Sequence, residues 1–508
     1  MRRFNWVKSG QPYIWLCAAA TALALIMVGG LLALLALRGL GQFWPAALWQ
    51  LEYQLPGEAP QKLIGKWIQS EQLPRQRLAE SGLPLPDNKS PLLTRKLLKI
   101  GGREQFGHDF VWLLDDGLSE ALAHPALWAL ERREWGDFYG HLLAVQENGQ
   151  TVAEGAKAEQ QVAPRLARVR ALIGRAQKLE TSGDSAELAA LRHELARDSL
   201  LMQRADGQTQ VIALSQVVRA YQPNAMSLLQ KIGFYGEKLM AFLSEAPREA
   251  NTEGGIFPAL FGTFLLTLLM TLMVTPLGVI AALYLHEYAK NGLLTRLIRI
   301  AVHNLAGVPS IVYGVFGLGF FVYVLGGSID RLLFADNLPA PTFGTPGLFW
   351  AALTLALLTL PVVIVSTEEG LSRIPRSLRE GALALGATQA ETLLKLVLPM
   401  ASPALLTGMI LAVARAAGEV APLMLVGVVK LAPALAVDGS APYLHLERKI
   451  MHLGFHIYDL GFQSPNIEAA RPLVYATALL LMLLIVLLNL SAMLLRSRLR
   501  DKYRLLEH

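Results

Sequence analysis

Six long apolar runs divide the chain into membrane-spanning and aqueous regions. Each run is long enough to cross about 30 Å of hydrocarbon at about 1.5 Å of helical rise per residue. We place these candidate spans at residues 13–37, 256–285, 305–325, 347–365, 403–429 and 473–495. The first run is too long for a secretion signal and no small-residue cleavage site follows it, so we expect it to remain as a span.

The basic residues beside the runs predict the orientation of the chain. Lys and Arg in short loops are held on the cytoplasmic side of a membrane. Arg373, Arg376 and Arg379 stand between the fourth and fifth candidate spans, and both ends of the chain are also basic. The short loops on the opposite side carry only Arg331, Lys430, Arg448, Lys449 and Arg471. We therefore expect both termini to be cytoplasmic.

Residues 41–255, between the first and second candidate spans, have the pattern of a folded aqueous domain. Alternating apolar and polar positions predict strands at 110–117, 141–152 and 200–214. Apolar positions at helical spacing predict a helical hairpin within 166–195 and a further helix around 226–243. The predicted orientation places this α+β domain outside the cytoplasm. Its many basic residues do not argue against that side, because long domains are exempt from the charge rule.

Composition excludes a soluble globular protein. Of the 508 residues, 53% are apolar and only 17% are charged, which is typical of a polytopic α-helical membrane protein. The basic inner loops account for the net charge of +6, so no nucleic-acid partner is indicated. The single cysteine, Cys17, excludes an internal disulfide.

An amphipathic segment, EGALALGATQAETLLKLVLP from Glu380 to Pro399, lies between the fourth and fifth candidate spans. Its leucines supply apolar surface, and its polar residues are expected to face water. Gly386 permits a tight backbone turn, and Pro399 is expected to end the helix before the next span. Periodicity alone also fits an ordinary helix that lies on the membrane surface.

Two ionisable residues fall within the fifth candidate span. By helical rise, Arg415 lies about 16 Å into that span, near the expected midplane. A charge there costs at least about 2.5 to 3.5 kcal/mol and needs a partner, and Glu419 follows one helical turn later. The pair indicates a substrate pathway in which Arg415 binds an oxyanion and Glu419 competes for the guanidinium. A buried structural ion pair is the alternative.

Other charged residues near the spans have simpler interpretations. Glu287 and Lys290, at the inner end of the second candidate span, fit a solvated interfacial pair. The chain contains no Gly-x-x-x-x-Gly-Lys-Ser/Thr loop, so we do not expect it to bind or hydrolyse ATP. No residue spacing suggests a metal site or a catalytic nucleophile.

The spacing within the amphipathic segment resembles the signature loop of binding-protein-dependent ABC importers. That family pattern is Glu-Ala-Ala, three residues, Gly, nine residues, Ile, one residue and Leu-Pro. The matching positions here are Glu380, Gly381, Ala382, Gly386, Leu396, Leu398 and Pro399. Gly381 replaces an Ala of the pattern, and Leu396 replaces the Ile. The resemblance implies that this loop is a coupling helix that docks into an ATPase subunit.

Four further stretches narrow the resemblance. They are HEYAK at 286–290, AGVPSIVYGVFGLG at 306–319, IPRSLREGALALGAT at 374–388 and ARAAGEVAPLMLVG at 414–427. With them the chain is identified as a member of the permeases of Pst-type phosphate ABC importers. The A-type branch, rather than the C-type, is indicated by Gly418, Glu419, Ala421, Pro422 and Leu423.

This resemblance implies the type I ABC importer permease fold in a bacterial inner membrane. It covers 256–495 well and does not extend to the outer domain. The predicted organisation is a cytoplasmic tail with transmembrane helix 1 at 1–40, a periplasmic α+β domain at 41–255, a transmembrane domain at 256–495 with its coupling loop at 373–402, and a basic tail at 496–508.

The resemblance also implies the partners. They are a sister permease subunit, an ATPase homodimer that binds the ATP, a periplasmic phosphate-binding protein and the lipid bilayer. No cofactor is expected in this chain itself. Two alternatives stay open: a permease for another oxyanion such as sulfate or molybdate, and a membrane-anchored sensory or scaffold protein that acts through its outer domain.

Overall fold

The computed structural model describes residues 10–55, 59–80, 90–119, 121–182, 185–290, 292–464 and 467–504. The basic residues Arg2, Arg3 and Lys8 lie outside this part of the chain. The chain divides into two compact units. One holds the long apolar helices and comprises the chain up to Gly41 and from Phe242 onward, and the other is Gln42–Ala241.

The upper boundary of the inserted unit comes earlier than the predicted residue 255. After Ala241 the chain makes a turn that is hydrogen bonded to itself. The amide of Ile256 donates to the carbonyl of Phe242 at 2.8 Å, and two short strands, Pro247–Arg248 and Glu253–Gly254, pair within the turn. Ile256 and Phe242 are both buried, and the chain from Phe242 onward groups with the apolar helices.

Six helices within the described residues are long and apolar enough to cross a membrane. In chain order, spans 1 to 6 are Gln11–Gly41, Phe257–Tyr288, Ser310–Leu333, Leu348–Ser372, Gln389–Gly418 and Ala470–Arg498. The six predicted apolar helices are therefore confirmed. Three of these spans contain a wide π-helical turn, at Tyr284–Tyr288, Gly317–Gly326 and Leu393–Val397.

Span 5 begins and ends earlier than the predicted range 403–429. A short helix, Gln389–Thr392, and the wide turn Leu393–Val397 lead without a break into Leu398–Gly418. Pro399 lies in the first turn of that last helix, where the amide hydrogen it lacks is not needed. The expectation that Pro399 ends a helix is therefore wrong, and the second half of the amphipathic segment starts span 5.

Span 4 lies at the centre of the apolar core of the helical unit. It packs against spans 2 and 5, and its residues Leu348, Ala351, Ala352 and Leu355 are fully buried. Span 1 packs on span 6, where a Cβ added to Gly39 would lie 2.7 Å from the backbone nitrogen of Ala476. Small residues allow this close helix packing in a membrane. The unit also contains the shorter α-helices Leu293–Leu305, Arg376–Ala384, Leu423–Val426 and Leu453–Tyr458.

The unit Gln42–Ala241 contains two antiparallel sheets. In the first, strands β1 to β4 are neighbours in chain order: Trp49–Tyr53, Gln61–Pro74, Leu92–Lys99 and Phe110–Leu114. The second contains β5 to β10: Leu127–Arg132, Phe138–Glu147, Gln150–Glu154, Asp198–Gln203, Thr209–Ala213 and Val217–Tyr221. Its order is β10-β5-β6-β8-β9, with β7 beside β6.

Helices pack on the second sheet and lead out of the unit. Ala156–Ser182 and Ser185–Ala196 form the predicted hairpin, and Val169 of the first packs in a core with Leu200 and Met202 of the sheet. The predicted strands are confirmed as β4, the β6–β7 pair and the β8–β9 pair. The helix predicted near 226–243 is Leu228–Ser244. The unit also contains the short α-helices Arg75–Glu80 and Arg103–Phe106.

Candidate functional site

Arg415 and Glu419 meet at the end of span 5. Arg415 lies in the last turn of the helix Leu398–Gly418, and Glu419 is the first residue beyond it, with an extended backbone at φ −77° and ψ 137°. Arg415 Nε and Glu419 Oε1 are 3.5 Å apart, so the predicted pairing is confirmed. The predicted depth was counted from a helix start at residue 403, and the observed start at Gln389 moves Arg415 toward the far end of the span.

The guanidinium of Arg415 is only partly engaged. Its Nε contacts Glu419, and within the described parts of the chain its terminal nitrogens have no hydrogen-bond partner. Ala412 and Ala416 on either side pack in the main core together with Tyr313 of span 3. The Arg415 side chain itself is 32% exposed. A planar cation that is held in this way can offer two donors to one oxyanion.

A cluster of buried polar residues joins the chain after span 5 to the turn before span 2. Asn251, His452, His456 and Asp459 are each at most 2% exposed. Asp459 Oδ2 lies 3.0 Å from Lys430 Nζ and accepts a hydrogen bond from Asn251 Nδ2 at 3.1 Å. Among the described residues, neither ring nitrogen of His456 has a hydrogen-bond partner.

Burial keeps the two histidines of this cluster neutral. It lowers the pKa of His452 to about 4 and that of His456 to about 4. For His456, Asp459 opposes the decrease and Lys430 adds to it. A Cβ added to Gly454 would lie 2.7 Å from the side chain of Val420, so this loop packs next to the Arg415–Glu419 pair. The four-residue spacing of the histidines in MHLGFHIYD is the signal that could have revealed the cluster from sequence.

The amphipathic segment forms two helices joined by a left-handed turn. The first helix is Arg376–Ala384, and Gly386 follows with φ +88°. Thr388 then caps Gln389–Thr392 through a reciprocal pair of hydrogen bonds with Glu391. A side chain at position 386 would be strained by this backbone conformation even though the space around it is open.

The turn between these helices presents an apolar surface. Leu385 is 90% exposed, and Leu383 and Leu394 are 47% and 64% exposed. Glu380, Gly381 and Gly386 are exposed, whereas Ala382, Leu396, Leu398 and Pro399 are half-buried. Leu393 and Val397 on the opposite side pack against Leu371 and Ile374 from the end of span 4. We call Glu380–Gly386 with Leu394, which are exposed except for the half-buried Ala382, the docking surface.

Arg379, which directly precedes the docking surface, connects it to span 2 through an ion pair and to span 4 through a hydrogen bond. Arg379 Nη2 lies 3.1 Å from Glu287 Oε1 and donates to the carbonyl of Leu371 at 2.8 Å. The Glu287 side chain is only 12% exposed and also contacts His286. The interpretation of Glu287 as part of a solvated pair with Lys290 is therefore wrong. Sequence spacing cannot show this contact, because its two members are far apart in the chain.

No metal centre accompanies these residues in the described part of the chain, where no group of three or more His, Cys, Asp or Glu is placed to hold an ion. The arrangement instead offers two features. One is a partly free cation at the end of span 5, and the other is an exposed apolar surface at the start of the same span.

Comparison with known proteins identifies the matching region. The family described as "Binding-protein-dependent transport system inner membrane component" matches residues 274–501. The phosphate transport system permease protein PstA of Mycobacterium leprae is 35% identical over 206 residues, covering 40% of this chain and 62% of that protein. The chain thus spans less than two thirds of this relative's length.

Other relatives match over more of their length. PstA of Yersinia pestis is 33% identical over 261 residues, covering 51% of this chain and 78% of that protein. A probable PstA of Methanocaldococcus jannaschii is 34% identical over 221 residues, covering 43% of this chain and 67% of that protein. A solved inward-facing MetNI methionine ABC transporter is 20% identical and covers 48% of this chain and 94% of that chain, with a TM-score of 0.33, which establishes no common arrangement of helices.

Proposed function

The chain belongs to the PstA-type permeases of the binding-protein-dependent transport family, and we propose that it moves inorganic phosphate through the inner membrane toward the cytoplasm. As a permease subunit it is not an enzyme. We expect the energy to come from ATP bound and hydrolysed by partner subunits. The names of the relatives suggest phosphate as the cargo.

The observation that carries this proposal is the partly free guanidinium of Arg415. Its Nε faces Glu419 at 3.5 Å, which is longer than an ordinary charged hydrogen bond. Its terminal nitrogens have no partner among the described residues. An arriving phosphate can therefore engage Arg415 without first breaking a strong protein contact.

In this proposal Glu419 limits how tightly Arg415 binds the phosphate. A transport site has to bind its ion and then release it, so binding must not be too strong. The carboxylate of Glu419 competes with phosphate for the same guanidinium and neutralises Arg415 when the pathway is empty. Because Glu419 lies beyond the helix end, its backbone can move without unwinding span 5. A purely structural ion pair remains the competing interpretation.

In this proposal the docking surface connects the ATPase mechanically to span 5. Leu385 is nearly fully exposed, and burying such a side chain in a partner contributes about 1.5 to 3 kcal/mol. We propose that an ATPase homodimer receives Glu380, Gly381, Ala382 and Gly386. Leu396, Leu398 and Pro399 then continue into span 5, so movement of the ATPase is transmitted along one helix toward Arg415.

The complete importer in this proposal has four kinds of component. This chain pairs with a sister permease subunit in the lipid bilayer of a bacterial inner membrane, with both termini cytoplasmic. A periplasmic phosphate-binding protein delivers the anion, and the ATPase homodimer closes on ATP. The unit Gln42–Ala241 would then be periplasmic. Neither a cofactor in this chain nor a nucleic-acid partner has a part in the proposal.

Uptake by the reconstituted importer tests the proposal. Proteoliposomes that contain this chain with its co-purifying permease, ATPase and binding protein are given labelled phosphate or sulfate, with and without ATP. We expect ATP-dependent accumulation of phosphate in preference to sulfate. Preference for sulfate or molybdate would instead favour an importer of that oxyanion. Failure to co-purify with any ATPase would favour a sensory or scaffold protein.

A further inference from the structure

A polar pocket lies within the unit Gln42–Ala241, next to the two chain segments that connect it to spans 1 and 2. The pocket has a volume of about 340 Å³, part of which is open to solvent. Its walls include Gln42, which directly follows span 1, and Lys238 on the helix Leu228–Ser244. Lys66 of β2, Tyr139 of β6 and Tyr221 of β10 also line it. We call it the base pocket.

Positive charge exceeds negative charge around the base pocket. Asp137 lies 2.7 Å from Lys99 Nζ, accepts a hydrogen bond from Tyr139 at 2.8 Å, and is 3.7 Å from Lys66 Nζ. Glu131 pairs with both Lys238 and Arg219. In these contacts of the described residues, the buried carboxylates of Asp137 and Glu131 lie beside four cations, Lys66, Lys99, Lys238 and Arg219. Glu237, which approaches Arg219 at 3.6 Å, is 57% exposed and adds little.

Lys66 is the cation that this arrangement leaves without a close partner. Among the described residues its ammonium makes no hydrogen bond, since the nearest carboxylate oxygen is 3.7 Å away. Its pKa is lowered by burial first and then by the charge of Lys99. Asp137 opposes this decrease, and Lys238 and Glu131 have smaller effects that lower and raise the pKa respectively. An anion in the pocket would offset the repulsion from the neighbouring lysines and stabilise the charged form of Lys66.

A second donor faces the same space without a partner. The side-chain nitrogen of Gln42 is buried and has no hydrogen-bond partner among the described residues. A buried amide hydrogen without an acceptor costs about 1 to 3 kcal/mol. The pocket thus combines an ammonium held only by a long contact with Asp137, an amide donor without an acceptor among the described residues and several positive charges, which together are the chemistry that binds an oxyanion.

We propose that the base pocket is a binding site for a phosphoryl group, with Lys66 and Gln42 as its direct donors and Lys238 as a supporting charge. Inorganic phosphate and the headgroup of an anionic phospholipid share this chemistry. The headgroup is a realistic source because Trp44 is 41% exposed and lies with Phe43 against Tyr235, and such rings are common at membrane interfaces. This inference does not rest on phosphate transport through Arg415.

Lysine labelling of the full-length chain in maltoside detergent tests the site. The protein is treated with limiting acetic anhydride, and acetylation of Lys66 is followed by peptide mass spectrometry. Lys62, which is exposed on the same strand, is the internal control. Inorganic phosphate, short-chain phosphatidylglycerol or sodium chloride of matched ionic strength is added in separate reactions. At about ten times the apparent Kd, we expect about tenfold protection of Lys66, because only the unoccupied fraction reacts.

The outcomes of the labelling distinguish inorganic phosphate from a phospholipid headgroup as the ligand. Protection of Lys66 by phosphate, with Lys62 unchanged, supports a free-anion site, whereas protection by the lipid alone supports a headgroup site. Gln42→Leu and Lys238→Met should each weaken the protection, while Lys62→Met should not. The proposal is overturned if neither anion protects Lys66, if Lys62 is protected equally, or if Lys66 does not react even without an anion. Because no transport is measured, failure here leaves the Arg415 proposal unaffected.

Discussion

Arg379 joins the docking surface to two transmembrane spans through one nitrogen atom. Its Nη2 lies 3.1 Å from Glu287 Oε1 at the end of span 2 and 2.8 Å from the carbonyl oxygen of Leu371 near the end of span 4. The side chains of Arg379 and Glu287 are 17% and 12% exposed. This pair is therefore better shielded from solvent than an ordinary surface salt bridge.

Loss of this contact should destabilise the chain measurably. Arg379→Gln leaves the carboxylate of Glu287 without its cation, so we expect a loss of about 1 to 3 kcal/mol. Lys395→Gln is the matched control, because it breaks the exposed pair between Lys395 and Glu391 and should cost less than about 0.5 kcal/mol. Thermal unfolding in detergent measures both variants. Equal losses of thermal stability in the two variants would show that the Arg379 contact stabilises the chain no more than an exposed ion pair does.

Leu385 is expected to contribute to ATPase binding rather than to the fold. It is 90% exposed, so Leu385→Asp should leave the melting temperature unchanged. The affinity for the ATPase should fall at least about tenfold, because the apolar contact is lost and a charge is buried. Val211→Asp is the control, since Val211 is 57% exposed on β9 of the other unit. Undiminished ATPase binding by Leu385→Asp would place the docking surface elsewhere.

The buried histidines should make stability depend on pH. In the folded chain the pKa values of His452 and His456 are lowered from 6.5 to about 4, so the unfolded chain binds protons more readily between these values. The free energy of unfolding should therefore be unaffected by these histidines above about pH 6.5. It should decrease as the pH falls toward about 4, by up to about 3 kcal/mol for each histidine.

Variants can assign this pH dependence. His456→Asn should give a shallower decrease in melting temperature between pH 6.5 and 4, while His193→Asn, at an exposed position, should not alter the profile. Identical profiles for the wild-type chain and for both His456→Asn and His452→Asn would exclude these residues as the cause.

The sequence predicted those features that depend on local pattern. The six apolar helices, the β6–β7 and β8–β9 pairs and the helical hairpin follow from periodicity and turn residues close together in the chain. The contact between Arg415 and Glu419 was predictable for the same reason. Its geometry was not, since Glu419 caps the helix with an extended backbone rather than continuing it.

The missed features depend on contacts between distant residues or on tolerated helix breakers. Pro399 is compatible with span 5 because it lies in a first helical turn after a wide turn, and the pattern alone suggested an interruption. The Glu287–Arg379 pair and the contact of Asn251 with Asp459 join segments that are close only in the folded chain. No local spacing indicates such pairs.

Glu419 is expected to control release of the anion. Glu419→Gln removes the negative competitor of phosphate for Arg415 but keeps the size of the side chain. We expect half-maximal uptake at a lower phosphate concentration together with a lower maximal rate, because the bound anion leaves more slowly. Initial uptake rates over a range of phosphate concentrations measure both quantities. Unchanged kinetics would favour a structural role for this residue.

The most direct test of the central claim is phosphate uptake by proteoliposomes whose importer carries Arg415→Gln. If Arg415 is the group that binds the anion, the initial rate should fall by between about tenfold and a hundredfold, corresponding to the loss of one or two charged hydrogen bonds. Assembly with the ATPase should be unchanged, and Arg331→Gln, which alters an exposed arginine of span 3, should transport normally. Normal uptake by a fully assembled Arg415→Gln importer would contradict the account.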